Sequence, residues 1–344
     1  MIKLWYTRCP VPTASGIAFQ KNLYEQTFAG TDFEVHNIKE LGKEQANTHF
    51  SHSLPYSFRE GGGSPPIWAY AQGAKTKLLA ITFMEEVLGI YVRADDPAQS
   101  ITDLAGRKLA LPIWPKLIFN FFRFAAEKAF YSALAAHGMS ETEIHYVDVI
   151  ENDDPHQLIN PAFAEQKETP KRKSYYSGQL HALLDKKVDA IFAKGAEVVA
   201  LEEEAEGKIR RLYDVRQAPE LWMRVNNSMP RLFTVDESLA LDHPEAVVLY
   251  LQTAIKAARW AIANPDDGIH AIAAECGIAP AVITACFEAN FLQKLMPEVN
   301  NTWVEATEVM KNFLAERGYI SRNFDLQEWL DPSFLQEAMA REKQ

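Results

Sequence analysis

"RADDPAQSITDLAGRKLALP", residues 93–112, decides how the chain is read. Asp95, Asp96 and Pro97 interrupt an apolar run, and residues 109–111 open a new one, the composition of a linker followed by a fresh strand. Upstream, strand patterns at residues 2–6, 33–38, 77–83 and 87–92 alternate with a helical pattern that carries Ala18, Phe19, Leu23 and Phe28. Ser15 is the expected N-cap of that helix and Gly30 its stop. Downstream come an amphipathic run at 117–137 and strands at 144–149 and 188–193. A strand at 231–235 then leads into helices that run to the C-terminus. The expectation is an α/β protein of two lobes joined by two crossings. Residues 1–94 and 227–344 form lobe I, and residues 95–226 form an inserted lobe II. Ligands of such proteins sit at strand C-termini and lobe boundaries, so a cleft between the lobes is the expected site.

Composition narrows the partners. The 344 residues are 47% hydrophobic and 24% charged, the balance of an ordinary globular protein with a sizeable core. A net charge of −11 argues against nucleic acid or an anionic membrane surface as a partner. A small anion remains admissible, because a few local arginines override the global sign. Three cysteines, Cys9, Cys276 and Cys286, form no CxxC pair, and neither a disulfide framework nor a zinc site is expected. Cys276 and Cys286 lie in an apolar-rich stretch and are read as small buried hydrophobes. No basic segment followed by a long apolar one opens the sequence, so the expected location is cytoplasmic. A monomer is the favoured state.

Two stretches carry chemistry. "TRCPVP", residues 7–12, places Cys9 where the first strand runs into a loop, with Arg8 beside it to favour the thiolate. The bland alternative is a thiol packed between prolines. "NTHFSHSLPYSFREGGGSPPIWAYA", residues 47–71, has no clear period and is read as a functional loop after the second strand. Within it Arg59 is a candidate oxyanion ligand and His49 a candidate for a proton or a hydrogen bond. His52 is a further candidate of the same sort, and Gly61, Gly62 and Gly63 admit a close backbone approach to an anion. The alternative is a surface loop with a solvated arginine. Residues 152–174, polar and proline-bearing, are read as a surface excursion or lid.

The segments "RCPVPTA" and "HFSHSLPYSFREGGGSPP" resemble the active-site segments of the 2-(2'-hydroxyphenyl)benzenesulfinate desulfinases, which perform the last step of dibenzothiophene desulfurisation. The family pattern is a Cys-Pro-Val-Pro loop, a His-Phe, an Arg ten residues beyond the His, and two glycines; all are matched. The resemblance implies Cys9 as catalytic cysteine, His49 as its partner, Arg59 as sulfinate anchor, and Gly62 as a backbone amide on the anion. It continues through "ITDLAGRKLALP", "KKVDAIFA" and "FDLQEWLDPSFL". The wider relatives are the substrate-binding proteins of nitrate, sulfonate and taurine importers, which implies the two-lobed, type II periplasmic-binding-protein (Venus-flytrap) fold. His52, Ser53 and Leu54 depart from the family enzyme, as does the segment 112–180.

Desulfination replaces a C–SO₂⁻ bond by C–H and releases sulfite. It needs no metal or redox cofactor, and none is expected here: the sequence has no HExxH, P-loop or GxGxxG pattern. Cys9 has two candidate roles, thiol proton donor to the ring carbon or thiolate nucleophile on sulfur. The main rival is a non-catalytic binding protein for a small sulfonate or related anion. A pyrimidine synthase for thiamine, on the same fold, would need a cysteine-rich iron motif that three scattered cysteines do not supply.

Overall fold

The computed structural model describes residues 1–7, 11–42, 45, 47–153 and 173–342. Among these, ten strands follow in order: β1 (Ile2–Thr7), β2 (Phe33–Asn37), β3 (Ser57–Gly62), β4 (Thr76–Thr82), β5 (Leu88–Arg93), β6 (Lys108–Ile113), β7 (His145–Ile150), β8 (Ile191–Lys194), β9 (Ile209–Asp214) and β10 (Arg231–Asp236). They fall into two compact units. The first comprises Met1–Met84, Asn227–Thr284 and Glu288–Gln344; the second comprises Glu85–Asn226 and Ala285–Phe287.

The first unit is built on a five-stranded sheet of order β2-β1-β3-β10-β4. β1 pairs in parallel with β2 and β3, while β10, returning from the far end of the chain, lies antiparallel between β3 and β4. One face is apolar. Tyr6 packs on Phe19, and Phe58 stacks on Tyr250 at 3.7 Å between ring centroids. Tyr24 stacks on the same Tyr250 at 4.3 Å, so the long helix Pro244–Ala263 is pinned to the sheet by aromatic contacts. Helix Ala14–Gln20 covers this face too, its N-terminus capped by Thr13, whose hydroxyl accepts from Gly16 N at 3.0 Å. The cap is Thr13 and not the expected Ser15, because Ser15 already has helical backbone.

The stretch 47–71 corrects the expectation of a loop. It is a short helix (Thr48–Ser51), the central strand β3, and a second helix (Ser64–Ala71) opened by Pro65 and Pro66. Every residue of β3 is buried, polar ones included, so no alternation of apolar and polar residues marks it in the sequence.

In the second unit β6 and β7 pair in parallel, and β5 lies between β8 and β9, antiparallel to both. Helix Phe121–Ala136 packs along β6. The boundary falls after Met84, earlier than residue 94, because β5 is hydrogen-bonded to β8 and β9 and not to the first sheet. The acidic stretch read as a linker is part of this unit. Asp96 is 6% exposed and accepts from Arg93 at 3.2 Å and Arg107 at 2.8 Å, tying the end of β5 to the start of β6. Most of the expected excursion at 152–174 lies outside the described residues. No single helix among the described residues is long and apolar enough to cross a membrane.

Candidate active site

Arg59 sits in the middle of β3 and is 1% exposed, which rules out the solvated-arginine reading. Its guanidinium is held by backbone: Nε donates to His49 O at 3.2 Å and Nη1 to Gly62 O at 2.9 Å. Two residues singled out from sequence are thereby in direct contact, ten positions apart, through the carbonyl of one and the side chain of the other. The Gly62 contact lays the guanidinium along the strand past Gly61, which has no side chain to obstruct it.

His49 lies in the helix Thr48–Ser51, is 7% exposed, and meets Phe50 edge to face at 5.1 Å. His52 ends that helix in the left-handed region at φ 52, with its N–H donated to Thr48 O at 2.9 Å. It is also 7% exposed, and its Nε2 has no hydrogen-bond partner among the described residues. Burial, reinforced by the nearby Arg59 charge, pushes its pKa down to about 3. His52 is therefore a neutral imidazole at any ordinary pH, a hydrogen-bonding group and not a charge.

The glycines serve close packing of backbone. A Cβ on Gly62 would stand 2.9 Å from Asn227 O, and one on Gly63 would stand 2.9 Å from Pro230 O. Gly63 N–H is spent on Asn227 O at 2.6 Å, and the Ser64 hydroxyl is bonded to the Asn227 side chain. The run of glycines thus lets the returning chain before β10 lie against the end of β3. Cys9 and Arg8 lie outside the described residues. Cys276 and Cys286 are 4% and 1% exposed, buried as expected, and burial pushes the Cys286 thiol up to about 11.

Sequence reasoning passed over Glu60, Thr7 and Thr234. Glu60 follows Arg59 but points to the opposite face, where its carboxylate accepts from Ala14 N at 3.3 Å and Ser15 N at 2.8 Å. Thr7 and Thr234 are the register partners of Arg59 on the two neighbouring strands. No spacing in the sequence could have found them, since strand pairing alone brings them together.

Two α/β units, the first with its parallel strands leading toward buried basic and imidazole side chains, define a fold of the periplasmic-binding-protein class. The crystal structure of the periplasmic aliphatic sulphonate binding protein SsuA from Escherichia coli shares it, with a TM-score of 0.63 at 15% identity, over 96% of this chain and 97% of that one. So does the crystal structure of a cysteine-to-serine variant of DSZB in complex with biphenyl-2-sulfinic acid, with a TM-score of 0.74 at 21% identity, over 98% of this chain and 99% of that one. In sequence, the chain is similar to the 2'-hydroxybiphenyl-2-sulfinate desulfinase of Rhodococcus erythropolis, 25% identical over 364 residues that cover 99% of this chain and 94% of that one. The expected fold class and the expected likeness to desulfinases both hold. No protein-family model matches the chain.

Proposed function

We propose that the chain is a desulfinase that hydrolyses the C–S bond of an aromatic sulfinate and releases sulfite. The observation that carries this reading is the contact of Arg59 Nε with His49 O, in a chain similar over 99% of its length to a sulfinate desulfinase. It supports a shared site for the two residues that the resemblance assigns to the chemistry.

In this reading Arg59 binds the sulfinate. Its guanidinium is oriented by two backbone carbonyls before any ligand arrives, and at 1% exposure it acts where bulk water does not screen it. The overall reaction is ArSO₂⁻ + H₂O → ArH + HSO₃⁻. If Cys9 acts as the acid, its thiol gives a proton to the ring carbon as the C–S bond breaks. The departing SO₂ takes hydroxide from water, and the remaining proton of that water restores the thiol. If Cys9 acts as nucleophile, its thiolate takes the sulfur instead, water supplies the proton to the ring carbon, and hydroxide then releases the sulfur as sulfite. His49 orients the cysteine or the water in either route. The solved DSZB variant that holds biphenyl-2-sulfinic acid has serine in place of a cysteine, which supports a cysteine that is needed for turnover but not for binding.

The likeness to the aliphatic sulphonate binding protein supports a second reading, a non-catalytic binder of small sulfonates. One experiment separates the two: sulfite release from a panel of aromatic and aliphatic sulfinates, by wild type and Cys9→Ser, with binding measured in parallel. The enzyme reading expects sulfite from wild type only, with binding kept in Cys9→Ser. Tight binding without turnover by wild type would establish the binder.

A further inference from the structure

The strands on either side of Arg59 carry two groups that this chemistry has not used. Thr7 closes β1 and Thr234 lies within β10, and each is paired with Arg59, the first through a parallel register and the second through an antiparallel one. Side chains at paired positions of neighbouring strands rise from the same face of a sheet. A row Thr7–Arg59–Thr234 therefore crosses the three central strands, on the face opposite Tyr6, Phe58 and Glu60.

Both hydroxyls are buried deeply. Thr7 is 2% exposed and Thr234 0%, and neither Oγ1 has a hydrogen-bond partner among the described residues. A buried hydroxyl without a partner destabilises the fold relative to valine, which has the same shape and asks for no hydrogen bond. Strands favour valine at least as much as threonine. Propensity and packing thus both leave the two hydroxyls unexplained, and their placement on the Arg59 face of the sheet, one on each strand flanking β3, points to a ligand of the Arg59 site.

We propose that Thr7 and Thr234 are anion-binding residues of the Arg59 site, each donating its hydroxyl to an oxygen of a sulfinate-class anion. A hydroxyl rotates its proton to suit an acceptor and adds no charge, so it can direct an oxyanion without trapping it. The inference rests on the reading of Arg59 as anion anchor.

The test uses benzenesulfinate as probe, with calorimetric titration and thermal unfolding of wild type, Thr7→Val, Thr234→Val, the double variant, Thr234→Ser and Arg59→Met. Each valine variant is expected to bind benzenesulfinate roughly tenfold more weakly, the double variant more weakly still, and Thr234→Ser close to wild type. Unliganded valine variants are expected to unfold at or above the wild-type temperature, a readout that a merely structural hydroxyl would reverse. If Arg59→Met loses binding while both valine variants bind within twofold of wild type, the threonine assignment fails and the anchor stands. If wild type does not bind benzenesulfinate at all, the anchor reading falls and this inference with it. Valine variants that unfold at lower temperature while binding normally would make the hydroxyls structural and overturn the proposal.

Discussion

Replacing Arg59 by methionine removes one side chain with two separable consequences. The guanidinium donates to His49 O at 3.2 Å and to Gly62 O at 2.9 Å, and methionine fills similar space with no donor. Each buried carbonyl left without that donor costs on the order of 1–3 kcal/mol, so the fold is expected to lose roughly 2–6 kcal/mol. A second loss appears only with ligand. Truncating one partner of a desolvated, hydrogen-bonded charge pair costs about 2–5 kcal/mol of affinity, or roughly thirtyfold to several thousandfold in Kd. Arg59→Lys separates the two effects further. It keeps the charge but offers no planar fork, so it is expected to retain part of the binding and lose turnover more than affinity. The assays are urea denaturation, calorimetric titration with benzenesulfinate, and single-turnover sulfite release. Arg59→Met that unfolds within about 0.5 kcal/mol of wild type, below the smallest cost worked above, would show that the guanidinium does not brace β3. Wild-type sulfite release from that variant would sink the anchor role as well.

Three further outcomes are expected. Because the folded pKa of His52 is lowered to about 3, acid protonates it only in the unfolded chain below pH 6.5, and stability is lost as pH falls. At pH 5 that amounts to about 2 kcal/mol, which His52→Asn, tolerant of the left-handed backbone, should abolish in urea melts compared at pH 7 and pH 5. Lys128, whose Nζ donates to Ser132 Oγ and Trp222 O, has its pKa pushed down to about 7 by burial. The unfolded chain alone holds that proton between pH 7 and 10.5, so wild type should gain about 3 kcal/mol on Lys128→Met from pH 7 to pH 9.5, and parallel denaturation curves at the two pH values would refute it. In native protein, iodoacetamide followed by peptide mapping should label Cys9 and spare Cys276 and Cys286; rapid labelling of Cys286 would contradict its 1% exposure and raised pKa.

Much of the α/β scaffold was legible because its strands are apolar. β1, β2, β4, β5, β6, β7 and β10 were each located from their apolar character, with ends within a residue or two of the observed ones. β3 was not. "SFREGG" has one large apolar residue, and what makes it a central strand is supplied from elsewhere. The Ala14 and Ser15 amides satisfy Glu60, and the His49 and Gly62 carbonyls satisfy Arg59. The information that buries this strand is thus spread over residues that no local window contains. The boundary misread has the same origin, since Asp96 looks like linker until Arg93 and Arg107 close on it. Within the candidate site, His49, His52 and Arg59 were singled out for the chemistry of their side chains, and all three are buried. Thr7 and Thr234 were not, because threonine is common in strands and only sheet register marks these two.

The acidity of the chain sets a condition that β3 meets locally. An anion approaching a protein of net charge −11 must find a place where nearby carboxylates do not dominate the field. The carboxylate nearest to Arg59 in sequence is Glu60, and strand alternation sends it to the other face. There two helix amides hold it, while burial pushes its pKa up against their pull and that of Arg231. His52, which feels the Arg59 charge, is kept neutral by burial. At 1% exposure the guanidinium acts with little screening by water or salt. Adjacent residues on one buried strand divide the labour: Glu60 braces the helix that begins at Ala14, and Arg59 presents positive charge on the other face.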